Sequence, residues 1–214
     1  PSPPLLIMRG PISWVLAIAV VAATLGFALK PTPTQPPEVP KPRVKLAVLV
    51  VFDQMRGDYL ERWKPLFVPD GFARLQSEGA WFPRCYYPYG TTTTGPGHAS
   101  MLSGTCGERH GIINNNWYED GAVVYCAGSQ GRYEFVPGPT PKGKDVGNPD
   151  RMRAETVADV LKLVSPKSKV FGLSLKDRSA ILPTGKRPDG AYWFNGKFVT
   201  STYYSSWVHP WVTE

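Results

Sequence analysis

The residues best able to do chemistry lie between Tyr87 and Trp117. There Tyr87-Pro88-Tyr89-Gly90 is followed by four threonines, by Gly95-Pro96-Gly97-His98 and, further on, by Asn114-Asn115-Asn116-Trp117. Four hydroxyls followed by Gly-Pro-Gly make a poor helix interior and suit a strand-to-helix turn whose threonines stay free to act. Ala99-Ser100-Met101-Leu102 can form a short helix after the turn. Thr94 then stands just before a helix N-terminus, where free N–H groups and the dipole favour an anion. A hydroxyl at such a turn is a workable nucleophile towards acyl or phosphoryl groups. The plainer reading is a Ser/Thr-rich loop, and the threonine run alone does not separate the two.

Two further places carry groups of the right kind. Val44 to Phe52 is an almost unbroken apolar run that ends on Asp53-Gln54-Met55-Arg56. Such a run reads as a strand buried on both faces of a parallel sheet. Ligands gather at the carboxyl ends of such strands, so Asp53 sits where a catalytic or metal-binding acid belongs, although it could equally cap the next helix. A second apolar run, Lys169–Leu175, ends on Lys176-Asp177-Arg178-Ser179. In an extended segment Lys176 and Arg178 project from one face and Asp177 from the other. Two cations one step apart suit an oxyanion; a solvated strand end is the alternative.

The elements that must position these groups follow from pattern. Helical pieces are expected around Asp58–Leu66 and Asp70–Ser77, with Gly79 as a stop, and a strand over Ala80–Tyr87 leading into the threonine turn. Asp120-Gly121 between β-formers, and Asn195-Gly196 before Lys197-Phe198-Val199, predict two hairpins. Gly128–Asn148 reads as a surface excursion. Asp150 is placed to cap a helix over Arg151–Val164, with Met152, Val157, Val160, Leu161 and Val164 at helical spacing.

The 214 residues are enough for one domain with a core, at 42% hydrophobic and 19% charged. The net charge of +7 is spread along the chain, with no basic stripe or nucleic-acid motif, so no nucleic-acid partner is expected. Cys85, Cys106 and Cys126 show no CxxC spacing, which argues against a thiolate zinc site. Two of them could pair after export, and the sequence does not say which.

Residues 1–29 read as processed rather than folded. Met8 is expected as the true start, followed by Arg9 and then twenty uncharged residues, Gly10 to Leu29. That is a secretory signal or an uncleaved membrane anchor, and it predicts a periplasmic or extracellular protein. Residues 30–43 form a stiff linker, with six prolines in Pro31–Arg43. The folded part is expected over residues 44–214.

Four motifs occur in a fixed order: Asp53-Gln54-Met55-Arg56, Thr94-Gly95-Pro96-Gly97-His98, His110-Gly111-Ile112-Ile113-Asn114-Asn115-Asn116-Trp117 and Lys176-Asp177-Arg178-Ser179-Ala180-Ile181. Together they resemble the alkaline phosphatase superfamily, in its type I phosphodiesterase/nucleotide pyrophosphatase-like group, closest to the phosphate-irrepressible periplasmic alkaline phosphatases. The resemblance implies an α/β three-layer sandwich with a mostly parallel sheet, present here as an N-terminal part with inserted β-hairpins. It also implies two zinc ions in the complete enzyme, with Asp53 a ligand of one of them. Thr94 would be the nucleophile on the same zinc, passing through a phosphothreonine. Asn115, Lys176 and Arg178 would bind phosphoryl oxygens. A monoester carries one more negative charge than a diester, so the paired cations favour small-molecule phosphate monoesters.

His98, His110 and His209 fall in no closely spaced Asp/His cluster. The remaining zinc ligands are therefore expected beyond residue 214, and the fragment is expected to be inactive alone. The nearer alternative is a phosphodiesterase or nucleotide pyrophosphatase of the same superfamily. The alternative of another class is a non-catalytic exported α/β module that binds an anion or a partner.

Overall fold

A computed structural model describes residues 44–212. The expected leader and proline-rich linker, residues 1–43, lie outside the described residues. The chain divides into two compact units between Val51 and Phe52. The described part of the first, residues 44–51, carries no helix or strand and is almost wholly exposed. The expected internal strand over Val44–Phe52 is therefore not formed. A strand exists through its ladder, and no described strand pairs with this run.

The second unit is α/β, as expected, with a mixed sheet. Helix α1 covers Tyr59–Arg62 and continues into a 3₁₀ turn over Lys64–Leu66; α2 covers Phe72–Glu78 and stops at Gly79. Ala80–Tyr87 is irregular and mostly exposed rather than a strand, for the same lack of a pairing partner. Helix α3 runs over Thr94–Ser103 and α4 over Gly107–His110. Strands β1 (Asn116–Glu119) and β2 (Ala122–Tyr125) form an antiparallel ribbon in which Asn116 pairs with Tyr125. Asp120 and Gly121 connect them, both at positive φ, +51° and +79°. That is the primed turn Asp-Gly is suited to make.

The main sheet has four strands. β3 (Phe135–Val136), β6 (Phe198–Ser201), β5 (Gly190–Phe194) and β4 (Phe171–Ser174) lie in that order, with β4 and β5 parallel and the other pairings antiparallel. The hairpin expected at Asn195-Gly196 is the β5–β6 connection. Helix α6 (Asp177–Ile181) follows β4 and packs on it so closely that a side chain at Gly172 would collide with the Ala180 carbonyl. Ile181, Leu182, Ala191, Trp193 and Val199 form the core beneath, continuous with Ala99 of α3 and with Ile112, Cys126 and Met152.

Two other expectations fail for reasons visible in the packing. Gly128–Asn148 is not a surface excursion, because Ser129, Phe135, Val146 and Asn148 are buried. The Asp145 carboxylate accepts from the backbone N–H groups of Ser129, Gln130 and Val146, which satisfies donors that a buried loop would otherwise orphan. Helix α5 is Val157–Val164, shorter than expected, and its cap is Thr156 rather than Asp150. Thr156 and Asp159 form a reciprocal capping box. Asp159 then turns inward to accept from the Lys186 and Arg187 amides, so Val157, Val160, Leu161 and Val164 face outward. Among the described residues no helix is long and apolar enough to cross a membrane.

Candidate active site

Thr94 is the first residue of α3, not the residue before it. Thr93 takes the cap position in extended conformation, and its hydroxyl donates to the Asn114 side chain at 3.0 Å. The helix start offers less to an anion than the sequence suggested. Gly95 donates its N–H to Asn115 Oδ1 at 2.7 Å, Pro96 has none, and Gly97 donates to the Thr93 carbonyl at 2.9 Å. Only the Thr94 amide is left from the first turn.

The reactive hydroxyl itself is well placed. Thr94 Oγ1 donates to Asp53 Oδ2 at 3.1 Å, across 41 residues of chain. Thr94 is buried and Asp53 partly exposed. Lys176 Nζ stands 4.0 Å from the same carboxylate oxygen. Lys176 is the extended residue that caps α6, while Arg178 lies inside that helix. The two cations therefore do not share the face of one strand, because the chain turns helical at Asp177. Their side chains have separate partners: Lys176 reaches towards Asp53, and Arg178 Nη1 donates to the Tyr125 hydroxyl at 3.0 Å.

The ribbon fixes Asn115. Cys126 N–H donates to the Asn115 carbonyl at 2.9 Å, extending the β1–β2 ladder by one step. The Asn115 side-chain oxygen is held by Gly95, which leaves its amide N–H₂ as the free end. Gly95 is required for this approach, since a Cβ there would sit 3.0 Å from Cys126 Sγ and 3.1 Å from Asn115 Oδ1. Asp53, Thr94, Asn115 and Lys176 are thus linked through short contacts, and Arg178 joins through α6 and the ribbon.

The histidines of the motifs are structural. His98 Nδ1 bonds the Thr94 carbonyl at 2.8 Å, within α3. His110 Nδ1 accepts from Ile112 N–H at 3.1 Å, and its Nε2 pairs with Ser100 Oγ at 2.9 Å. Burial lowers the His110 pKa, which keeps the ring neutral with both nitrogens occupied. All three cysteines are free thiols, and burial pushes Cys126 up to about 12.

For a metal ion, Asp53 and Thr94 offer two adjacent oxygen donors, one edge of a tetrahedral site. Among the described residues no group of three or more His, Cys, Asp and Glu side chains could hold a metal. The donors present fit part of a zinc site and do not complete one. A cleft of about 550 Å³, bordered by Trp117, Arg132, Arg151 and Arg153, is lined by none of the five residues above. Two contributions went unseen in the sequence: the Gly95–Asn115 lock and Tyr125. The first was marked only by a glycine beside the threonine, the second by nothing in the local pattern.

The site thus joins a hydroxyl at a helix start to a carboxylate, with Lys176 near that carboxylate and the Asn115 amide on the helix start. The chain belongs to the type I phosphodiesterase / nucleotide pyrophosphatase family, whose sequence model matches residues 47–211. It is 38% identical over 213 residues to alkaline phosphatase PafA of Elizabethkingia meningoseptica, covering 97% of this chain and 37% of that protein. It is 38% identical over 178 residues to alkaline phosphatase PhoV of Synechococcus elongatus, covering 80% and 32%. Crystal structures of PafA superpose with TM-scores of 0.70 for the wild type and 0.72 for a form with a threonine, an asparagine, a lysine and an arginine substituted. Their sequence identities are 40% and 36%; they cover 75% and 76% of this chain and 32% of each PafA chain. The chain spans about a third of the length of these relatives.

Proposed function

We propose that this chain is the N-terminal portion of an exported, zinc-dependent phosphate monoester hydrolase that works through a phosphothreonine at Thr94. The observation that carries the reading is the 3.1 Å bond from Thr94 Oγ1 to Asp53 Oδ2, with Lys176 4.0 Å from that same oxygen. The hydroxyl and the cation meet at one carboxylate oxygen, beside a helix start that Asn115 closes. The alkaline phosphatases it resembles support phosphate esters as the substrate class. The substituted PafA structure supports the residue set. It replaces a threonine and an asparagine, and a lysine and an arginine, spaced within each pair as Thr94 and Asn115, and Lys176 and Arg178, are here.

The chain's own groups divide the work. Thr94 Oγ1 attacks phosphorus in line as the opposite bond to the ester oxygen breaks, and its proton leaves towards Asp53 or solvent. The departing alkoxide takes a proton from water, and a further water hydrolyses the phosphothreonine to free phosphate. Asp53 and Thr94 would hold a zinc ion by one edge, and its charge favours the ionised hydroxyl. The Asn115 N–H₂ group, oriented by Gly95, donates to one phosphoryl oxygen. Lys176 and Arg178 meet the charge on the others, where fixed donors stabilise the transition state most. The further ligands of a two-zinc site would come from sequence beyond Glu214. Arg9 followed by the uncharged run Gly10–Leu29 supports export, either to the periplasm or anchored at the membrane.

The test uses the full-length protein, the longest natural reading frame containing these residues. Turnover of a phosphate monoester is quenched in acid and the Thr94 peptide is examined by mass spectrometry. A phosphoryl group on Thr94 that is absent from Thr94→Ala is expected. Full activity in Thr94→Ala would overturn the reading.

A further inference from the structure

The Tyr125 hydroxyl sits between an acid and a cation. It donates to Asp177 Oδ1 at 2.5 Å and accepts from Arg178 Nη1 at 3.0 Å. The Arg178 backbone N–H donates to the same Asp177 oxygen at 2.7 Å, and the guanidinium carbon lies 5.9 Å from the Tyr125 ring centroid. A phenol has one proton to give. With that proton directed at Asp177, the oxygen's lone pairs face Arg178, and the order of the three groups is fixed. Burial, followed by the charge of Asp177, pushes the Tyr125 hydroxyl well above its ordinary pKa, so it stays a donor. Arg178 remains cationic: burial opposes its charge, and the hydrogen bond to Tyr125 together with the charges of Tyr125, Cys126 and Asp177 more than offsets that.

The consequence concerns the cation. A free arginine side chain has rotamer entropy to lose when it grips a ligand. Here Nη1 is already tied, and Nη2 has no acceptor among the described residues. Lys176, by contrast, has only the 4.0 Å approach to Asp53 and is half exposed. The ribbon adds a second link. Tyr125 pairs with Asn116 across the β1–β2 ladder, and the next residue, Cys126, bonds the Asn115 carbonyl. One strand of the ribbon therefore leads out of Asn115 while the other presents the hydroxyl that holds Arg178.

We propose that Tyr125 is a positioning residue which, with Asp177, pre-orients the Arg178 guanidinium for a phosphoryl oxygen and keeps it in register with Asn115. The inference rests on Arg178 binding the phosphoryl group, as read above. Tyr125 touches no substrate in this scheme and acts only through Arg178.

The experiment compares Tyr125→Phe, Arg178→Ala and the double variant in the full-length protein, on a phosphate monoester and a diester, with thermal unfolding followed alongside. Tyr125→Phe keeps the ring and removes only the hydroxyl. Its kcat/KM for the monoester is expected to fall roughly ten- to a hundredfold, the scale on which partners that orient a metal ligand act. The diester should fall less, and in the Arg178→Ala background the same change should have no further effect. Equal losses on both esters, or a full additional loss without Arg178, would overturn the proposal and leave Tyr125 a packing residue. Should the parent hydrolyse neither ester, the functional reading above fails on its own. Calorimetric binding of inorganic phosphate to the same three variants then decides the positioning role. Weaker binding in Tyr125→Phe only when Arg178 is present supports it; unchanged binding, or no binding by the parent, overturns it. If Tyr125→Phe does not fold, Asp177→Ala, which removes the acceptor of the hydroxyl, is judged by the same criteria.

Discussion

The backbone amide of Gly95 and the side-chain oxygen of Asn115 are joined at 2.7 Å, so the first turn of the helix that begins at Thr94 and the base of the β-ribbon are one unit. The bond closes the position where the helix start would otherwise take an anion. It also commits Asn115 to presenting its N–H₂ end, so a half-buried amide side chain acquires a single orientation. Asn115→Ala should therefore cost more than a donor, because it also releases the Gly95 amide. Removing one preorganised donor from a site of this kind typically costs roughly 10²–10³ in kcat. A loss at or above that range is expected in the full-length protein, measured by steady-state kinetics on a monoester. A change below tenfold would show that Asn115 is not part of the site.

Much of this was legible beforehand, and the failures share a cause. The hairpin at Asp120-Gly121, the helix from the threonine turn and a strand before Lys176 are local signals, set by turn chemistry and periodicity, and they form. But β4 lies at the edge of the described sheet with Phe171 and Leu173 exposed, instead of being the internal, buried strand expected. The strand over Val44–Phe52 depended on partners that no local pattern supplies, and it is not formed. Lys176 and Arg178 do not take the side-by-side arrangement expected of a straight strand, because the chain turns helical at Asp177. Tyr125 escaped notice because its role comes from residues 52 and 53 positions away.

The close packing of α6 on β4 makes a stability prediction independent of catalysis. A methyl group at residue 172 would drive into the Ala180 carbonyl and crowd the Thr184 side chain. Backbone cannot yield as a flexible side chain does, and overpacking costs about 1–3 kcal/mol. Gly172→Ala is expected at or above the upper end of that range, with a lower midpoint in urea at unchanged slope. A midpoint within error of the parent would mean that α6 can lift from the sheet without loss.

Asp189 gives the fold an acid limit. Partial burial works against its charge, but Lys169 at 2.8 Å, the Val170 amide at 2.9 Å and Lys162 at 3.0 Å outweigh it and hold its pKa at about 2. The folded value lies below the ordinary 3.8, so the unfolded chain binds the proton more readily. The stabilisation is complete above the unfolded value and is lost as the pH falls through 3.8 towards about 2. Asp189→Asn should lower stability at neutral pH and flatten the fall in stability across that window. Parallel unfolding curves for parent and variant between pH 4 and 2 would rule out Asp189 as the source.

The donor count at Asp53 and Thr94 sets an expectation for metal. Two oxygens fill half of a tetrahedral zinc site, so the 214-residue chain should release zinc to a mild chelator and show no turnover. The full-length protein should retain zinc and lose activity when a strong chelator removes it. Stoichiometric, chelator-resistant zinc on the shorter chain, read by elemental analysis, would mean that it carries ligands beyond these two.

The two cations should divide the substrates. Lys176 is tied to Asp53 only by an exposed contact at 4.0 Å, and pairs of that kind contribute at most about 1 kcal/mol. Its ammonium is free to turn to a substrate oxygen, while Arg178 is held ready by Tyr125. A monoester offers both of them charge; a diester, with a second oxygen esterified, offers one charge fewer. Lys176→Ala combined with Arg178→Ala should therefore cut kcat/KM for a monoester by at least the roughly 10²–10³ expected of one lost donor, and a diester by much less. Equal losses on the two substrates would turn the assignment towards a phosphodiesterase, in which the cations serve only to bind the single shared charge.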